Sequence, residues 1–198
     1  MKITIIAGAR PNFMKIAPII HAIQKSKSFG NKLSFRLVHT GQHYDGKMSD
    51  TFFKELNIPA PDVNLACGGG TQATQTAAIL VTFEKELLAN PADLVLVVGD
   101  VTSTMACTIV AKKLKTKVAH VEAGIRSFDR TMPEEINRIL TDRISHYLFC
   151  PTKAALKNLD KEGVSNWGVN TKTFLSGDIM MDSALFYKNF SKKPLNLK

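Results

Sequence analysis

Five apolar residues in a row, Leu94 to Val98, end at Gly99-Asp100. A run of that length, rich in β-branched residues and closed by glycine, reads as a strand buried on both faces, and such strands belong to parallel sheets covered by helices. Ile3 to Ala7, ended by Gly8, has the same character. Between the two runs the period changes. Pro11 opens a helix whose Ile16, Ile19, Ile20 and Ile23 stand at i, i+3, i+4 and i+7, one stripe for a sheet to cover. Leu33 to Thr40 alternates as a second strand, and a Thr-rich segment from Thr71 opens a long helix stopped by Asn90-Pro91. Further helices are expected at Ser49 to Leu56, Ser103 to Lys115, Pro133 to Ser145 and Thr152 to Lys161, with strands at Val118 to Val121, Tyr147 to Cys150 and Thr173 to Leu175. Strand and helix alternating with long crossovers describe an α/β protein with a doubly wound, mostly parallel, Rossmann-like sheet.

At 198 residues the chain has room for one domain, or one domain and the start of another. It is 44% hydrophobic and 22% charged, which excludes disordered, collagen-like and coiled-coil chains. The apolar run at the start is too short for a signal peptide or a membrane span, so a cytoplasmic protein without membrane contact is expected. Cys67, Cys107 and Cys150 are too few and too scattered for a disulfide framework and lack a zinc spacing. His39 and His43 stand four apart, but with no helix expected there and no third ligand nearby they make no metal site. The net charge of +9 is spread as single and paired lysines without interleaved aromatics. That distribution fits phosphate-bearing ligands better than nucleic acid.

In a doubly wound sheet, ligands bind outside the carboxyl ends of the strands. The unusual polar residues fall at those ends: Arg10 after the first strand, Gln42 and His43 after the second, Asp100 after Val98, and Glu122 with Arg126 after Val121. The opposite ends carry ordinary charges, Lys2, Lys32, Asp93 and Lys117. Gly8-Ala9-Arg10-Pro11 joins a strand to a helix, where free N–H groups, Arg10 and Lys15 suit a phosphate. It is no dinucleotide fingerprint, since G-x-G-x-x-G is missing and no acid stands at the end of the second strand. Thr40-Gly41-Gln42-His43-Tyr44-Asp45 has the hydrogen-bonding groups to hold a sugar or nucleotide. Asp100 is either a site carboxylate or the N-cap of the following helix. Glu134 and Glu135, behind Pro133, suit the helix dipole as well as a site, whereas Glu122 straight after a strand has no such structural excuse.

Taken together, Gly8-Ala9-Arg10-Pro11 with Lys15, Thr40-Gly41-Gln42-His43, Gly99-Asp100, His120-Val121-Glu122-Ala123-Gly124-Ile125-Arg126-Ser127, Pro133-Glu134-Glu135-Ile136-Asn137-Arg138 and Ser176-Gly177-Asp178 resemble the non-hydrolysing UDP-N-acetylglucosamine 2-epimerases, in the same order. The resemblance implies the N-terminal domain of a glycosyltransferase-B type fold. Residues 1–178 would form the Rossmann-like domain, and residues 179–198 a helix and linker towards a C-terminal domain absent from this chain. It also implies the chemistry. UDP leaves a UDP-sugar by elimination, giving a glycal, and returns after protonation of C2 from the other face, with no redox cofactor and no metal. By resemblance Asp100, Glu122 and Glu134 are the catalytic acids, while Arg10, Lys15, Gln42, His43 and Arg138 hold the substrate. The chain departs from the family in the first motif, with Ala9 where the family more often has Thr and Asn12 where it more often has Glu.

The family's second domain, with its catalytic histidine and uridine pocket, would follow the end of this chain. The isolated chain is therefore expected to be inactive, and the full-length protein to be a homodimer. A stand-alone nucleotide-sugar or phosphate binding module is the alternative. A glycosyltransferase is disfavoured by Glu122 and Glu134, since transfer needs no proton chemistry at C2.

Overall fold

The structure, a computed structural model, describes residues 1–27, 30, 32–41, 53–167 and 170–188. Seven strands, β1 (Lys2–Ala7), β2 (Ser34–His39), β3 (Val63–Asn64), β4 (Leu94–Val98), β5 (Lys117–Val121), β6 (Tyr147–Cys150) and β7 (Lys172–Leu175), form one sheet. Their order is β3-β2-β1-β4-β5-β6-β7 and every pairing is parallel. The order reverses between β1 and β4, so the doubly wound Rossmann-like expectation holds. Among the described residues, the longer helices are α1 (Arg10–Lys27), α2 (Gln72–Ala89), α3 (Thr102–Lys113), α4 (Pro133–Ile144), α5 (Lys153–Lys161) and α6 (Ile179–Lys188).

The apolar run of β4 shows why it must be central. Side chains of a strand alternate between faces. Leu94, Leu96 and Val98 pack with Ile16, Ile20 and Ile23 of α1, while Val95 and Val97 pack on the other face with Ile79 and Phe83 of α2 and Val110 of α3. Each face buries one half of the run. A third cluster, with Leu148, Cys150, Ala155, Leu159 and Val164, seats α5 beside β6.

Helix α1 continues through Pro18, since its buried stripe outweighs the one hydrogen bond that proline cannot donate. Strand β3 was not among the expected strands, because two residues carry no period and owe their conformation to pairing with β2. Of the helix expected at Ser49 to Leu56, residues 53–55 are helical and residues 49–52 lie outside the described residues. Among the described residues, no helix is long and apolar enough to cross a membrane.

Candidate functional site

At the carboxyl edge, β1 turns into α1 through Gly8 and Ala9, whose N–H groups both donate to Asn12 Oδ1 (3.1 and 2.9 Å). Asn12 Nδ2 donates onward to Val98 O at the end of β4 (3.1 Å). One buried amide thus ties the two central strand ends together. A side chain at Gly8 would collide with Ser103, so the turn packs tightly on α3. Asn12 supplies the lock. Arg10 is the first residue of α1 and is exposed.

One turn along α1, Lys15 Nζ meets Glu122 Oε2 at 2.6 Å, with side chains 16% and 12% exposed. Glu122 directly follows β5 and takes φ +71°, a left-handed conformation that costs an L-residue with a side chain free energy. Gly99, also left-handed, lies below this pair. A Cβ there would stand 3.2 Å from Lys15 Nζ, 3.5 Å from Glu122 Oε2 and 3.6 Å from Asn12 Nδ2. Glycine at 99 therefore leaves the space in which three polar side chains converge, two from α1 and one from the end of β5.

Asp100, the next residue, does not cap α3. The cap position is Val101, with no side-chain cap bond. Asp100 Oδ2 instead accepts from Arg138 Nε (3.0 Å) and Nη2 (2.7 Å), and Asn137 Nδ2 donates to Asp100 O (2.8 Å). Two residues named from sequence as acid and substrate holder are partners in one ion pair. Arg138 Nη1 also meets Glu135 Oε2 at 2.6 Å. Glu135 is 1% exposed and accepts from the N–H groups of Ser127 and Phe128, both at 3.0 Å. Burial pushes its carboxyl pKa up, but the bonds from Ser127, Arg138 and Phe128 outweigh that and hold it below the usual range. Of the adjacent pair, Glu135 is thus the structural one. Glu134 is exposed in the first turn of α4, and no hydrogen bond or ion pair among the described residues ties it to Asp100 or Glu122. Gln42 and His43 lie outside the described residues.

Behind these groups lies a network that sequence reasoning missed. His120 Nε2 bonds Gly99 O (2.8 Å) and its Nδ1 bonds Asp142 Oδ1 (2.6 Å). Asp142 Oδ2 accepts from Gly124 N (3.0 Å) and from Arg126 Nη1 (2.7 Å). Arg126, 1% exposed in its side chain, grips Glu162 with Nε (2.7 Å) and Nη2 (2.8 Å). Its burial disfavours the charge, yet the bonds and charges of Glu162 and Asp142 raise its pKa further. Arg126, noted from sequence as a carboxyl-end residue, is therefore a brace within the protein. The sequence of α4 hides this network. That helix buries Glu135, Asn137, Thr141 and Asp142 while Ile136 and Leu140 stand exposed, the reverse of an ordinary amphipathic helix.

The arrangement brings two carboxylates to the ends of adjacent strands, each beside a cation, on the edge where this sheet order binds ligands. Among the described residues no group of three or more His, Cys, Asp or Glu is placed to hold a metal. The three thiols are free and buried. Burial pushes that of Cys107 well up and that of Cys150 up to about 12, Asp142 adding to the latter shift, so neither is a nucleophile.

Comparison with known proteins gives the family and supports the fold. A family profile described as UDP-N-acetylglucosamine 2-epimerase matches residues 24–198. The UDP-N-acetylglucosamine 2-epimerase of Methanocaldococcus jannaschii is 46% identical over 198 residues, covering 100% of this chain and 52% of that protein. The UDP-2,3-diacetamido-2,3-dideoxy-D-glucuronate 2-epimerase of Pseudomonas aeruginosa is 46% identical over 197 residues, covering 100% and 54%. A crystal structure of the M. jannaschii UDP-GlcNAc 2-epimerase in complex with UDP-GlcNAc and UDP superposes with TM-score 0.89 over 99% of this chain and 52% of the other. The chain spans about half the length of the curated relatives it matches. With its fold, its motifs and their order all accounted for, the chain belongs to the UDP-N-acetylglucosamine 2-epimerase family.

Proposed function

We propose that the chain is the N-terminal half of an enzyme that interconverts UDP-N-acetylglucosamine and UDP-N-acetylmannosamine. In this reading residues 1–178 are the Rossmann-like domain, and residues 179–198 lead to a second domain closing a cleft over the carboxyl edge. The observation that carries the reading is the double pairing there, Asp100 with Arg138 and Glu122 with Lys15. Elimination at a UDP-sugar uses both kinds of group. The C2–H bond breaks and its proton passes to a carboxylate; the electron pair forms C1=C2, and the C1–O bond breaks with its pair leaving on UDP. Return of a proton to the opposite face of C2, with UDP re-forming the C1–O bond, gives the epimer. No redox partner enters this balance.

Asp100, Glu122 and Glu134 are the candidate proton carriers. Arg10, Lys15, Gln42, His43 and Arg138 are the candidate holders of the nucleotide sugar, with cations on the diphosphate. An incoming diphosphate competes for Lys15 and Arg138, and a cation that turns to phosphate frees its carboxylate. The UDP-GlcNAc and UDP bound to the M. jannaschii relative support this substrate. The equal identity of the P. aeruginosa relative keeps UDP-2,3-diacetamido-2,3-dideoxyglucuronate as a second substrate to assay.

The free thiols suit a reducing compartment, and we place the enzyme in the cytoplasm. The full-length protein is read as a homodimer, supported by the outward apolar stripe Met132, Ile136 and Leu140. The chain alone, with one wall of the cleft, is read as inactive. The test is epimerisation of UDP-N-acetylglucosamine in D2O by the full-length protein, by this chain, and by this chain mixed with a separately expressed C-terminal half. Deuterium at C2 of the product from the full-length protein, and none from the chain alone, is the expected result. Glu122→Gln and Asp100→Asn should each lower kcat by about 10² to 10⁴-fold with smaller effects on nucleotide binding. Equal losses of binding and turnover would mark both residues as structural and sink the assignment.

A further inference from the structure

We propose that His120 and Asp142 form a positioning pair, a buried link that sets the placement of Asp100 and Glu122 relative to each other. The role rests on the epimerase reading above; the geometry stands apart from it. A carbonyl oxygen only accepts, so the His120 nitrogen that faces Gly99 O donates to it, while the other ring nitrogen bonds Asp142 Oδ1. Gly99 is held from both sides by β5, because its own N–H donates to Val121 O (3.1 Å). Asp100 follows immediately. The residue whose carboxylate stands at the end of β4 thus takes its position from a ring rooted in the middle of β5.

The other end of the link reaches Glu122. Asp142 Oδ2 accepts from Gly124 N, and Asn158 Nδ2 donates to Gly124 O (3.0 Å), so the Gly124 peptide is gripped at both its polar atoms. A Cβ at Gly124 would collide with the Ala155 carbonyl, which closes the turn from a third side. That turn contains Glu122 in its left-handed conformation. A strained residue keeps such a conformation only where its surroundings over-determine it. Asp142, 0% exposed and also bonded to Arg126, is the common anchor of the ring and the turn. His120 is likewise 0% exposed, so neither group touches a ligand in the cleft. Their effect on a reaction runs through the two turns.

Two measurements test the pair. In this 198-residue chain, amide hydrogen exchange reads the turns directly. Asp142→Asn and His120→Gln should each speed exchange at Gly99 and Gly124 by about tenfold or more while the amides of β1 and β2 keep their protection. In the full-length protein, kcat for C2 epimerisation should fall by about 10 to 100-fold with KM within about threefold, the size of effect that orienting partners and small misplacements produce. The ratio of free UDP released to epimer formed should rise, because misaligned carboxylates let the glycal escape before it is reprotonated. A role confined to stability would lower the folded fraction and leave that ratio unchanged. Thr141→Val is the control. Thr141 neighbours Asp142 in sequence, is buried, and its hydroxyl has no partner among the described residues, so turnover should hold within about twofold.

Unaltered exchange at Gly99 and Gly124 in folded Asp142→Asn protein overturns the proposal, as does unaltered kcat in both variants. If the wild-type full-length protein places no deuterium at C2, the epimerase reading fails. The exchange experiment then still decides whether the pair holds the two turns.

Discussion

The turn after β1 and the loop after β5 both deliver charged residues to the carboxyl edge of the sheet, and they are held by opposite means. Residues 8–12 make a short turn, closed by the neutral side chain of Asn12 with three hydrogen bonds. Residues 122–132 make a long one, closed by carboxylates: Asp142 on Gly124 and Arg126, Glu135 on Ser127, Phe128 and Arg138. A short turn has few free N–H groups, and one amide satisfies them. A long loop leaves many donors and two arginines to hold, and an acceptor-only carboxylate fills more of them per side chain. The first turn should therefore be indifferent to pH and the second should depend on it.

The largest test of this contrast removes the anchor of the long loop. Asp142→Ala leaves His120 and Arg126 buried without their carboxylate and should destabilise the chain by about 3 to 5 kcal/mol. Urea unfolding followed by fluorescence measures it, since Trp167 is the single tryptophan and donates to the backbone of Glu162 at the end of the same network. Glu135→Gln should cost about 1.5 to 3 kcal/mol near neutral pH, the range for hydrogen bonds to a charged group. Its sign with pH follows from the lowered carboxyl pKa. The folded state favours the ionised form, so the contribution is whole above the unfolded value of about 4.3 and is lost as pH falls through the lower folded value. The gap between wild type and Glu135→Gln should accordingly narrow in acid. A gap that widens would show that the net effect of burial, not of the bonds, rules this group.

Asn12→Ala should cost about 1 to 3 kcal/mol, the penalty for leaving two backbone N–H groups and one carbonyl short of partners. Measured over the same pH range, its cost should stay flat, and a slope like that of Glu135→Gln would remove the contrast. The smallest effect belongs to Thr141→Val, which replaces an unpartnered buried hydroxyl. Its melting temperature should be unchanged or raised by a few degrees, about 1 kcal/mol at most.

The same contrast explains which parts were legible in the sequence. Strands β1, β4 and β6 and helix α2 announce themselves through apolar period and punctuation, because hydrophobic burial is what forms them. The edge residues Arg10, Asp100 and Glu122 were locatable because a polar residue straight after a buried strand has little other use. Asn12 stood out only as a departure, and its role depends on Val98, 86 positions away. Asp142 and Glu135 were hidden for a different reason. On α4 the amphipathic rule selects Ile136 and Leu140 as the inward face, and the protein buries the polar stripe instead. Nor can composition say which of Glu134 and Glu135 faces inward, since neighbours on a helix point about 100° apart and only the packing decides. The cap reading of Asp100 stayed open beside the site reading because its arginine lies 38 residues further along the chain.

Glu122 sets stability and activity against each other at a single codon. Its left-handed backbone is a conformation that glycine adopts freely and that an L-residue with a side chain adopts at a cost of about 1 to 2 kcal/mol. A library selected for heat resistance should accordingly enrich glycine at this position, to the extent that relief of strain exceeds the lost pair with Lys15. On the role proposed for Glu122, the same library selected for epimerisation should exclude it, because glycine deletes the carboxylate. Divergent enrichment at position 122, with agreement at Gly99 and Gly124, would be the evolutionary imprint of a backbone bent to serve one side chain.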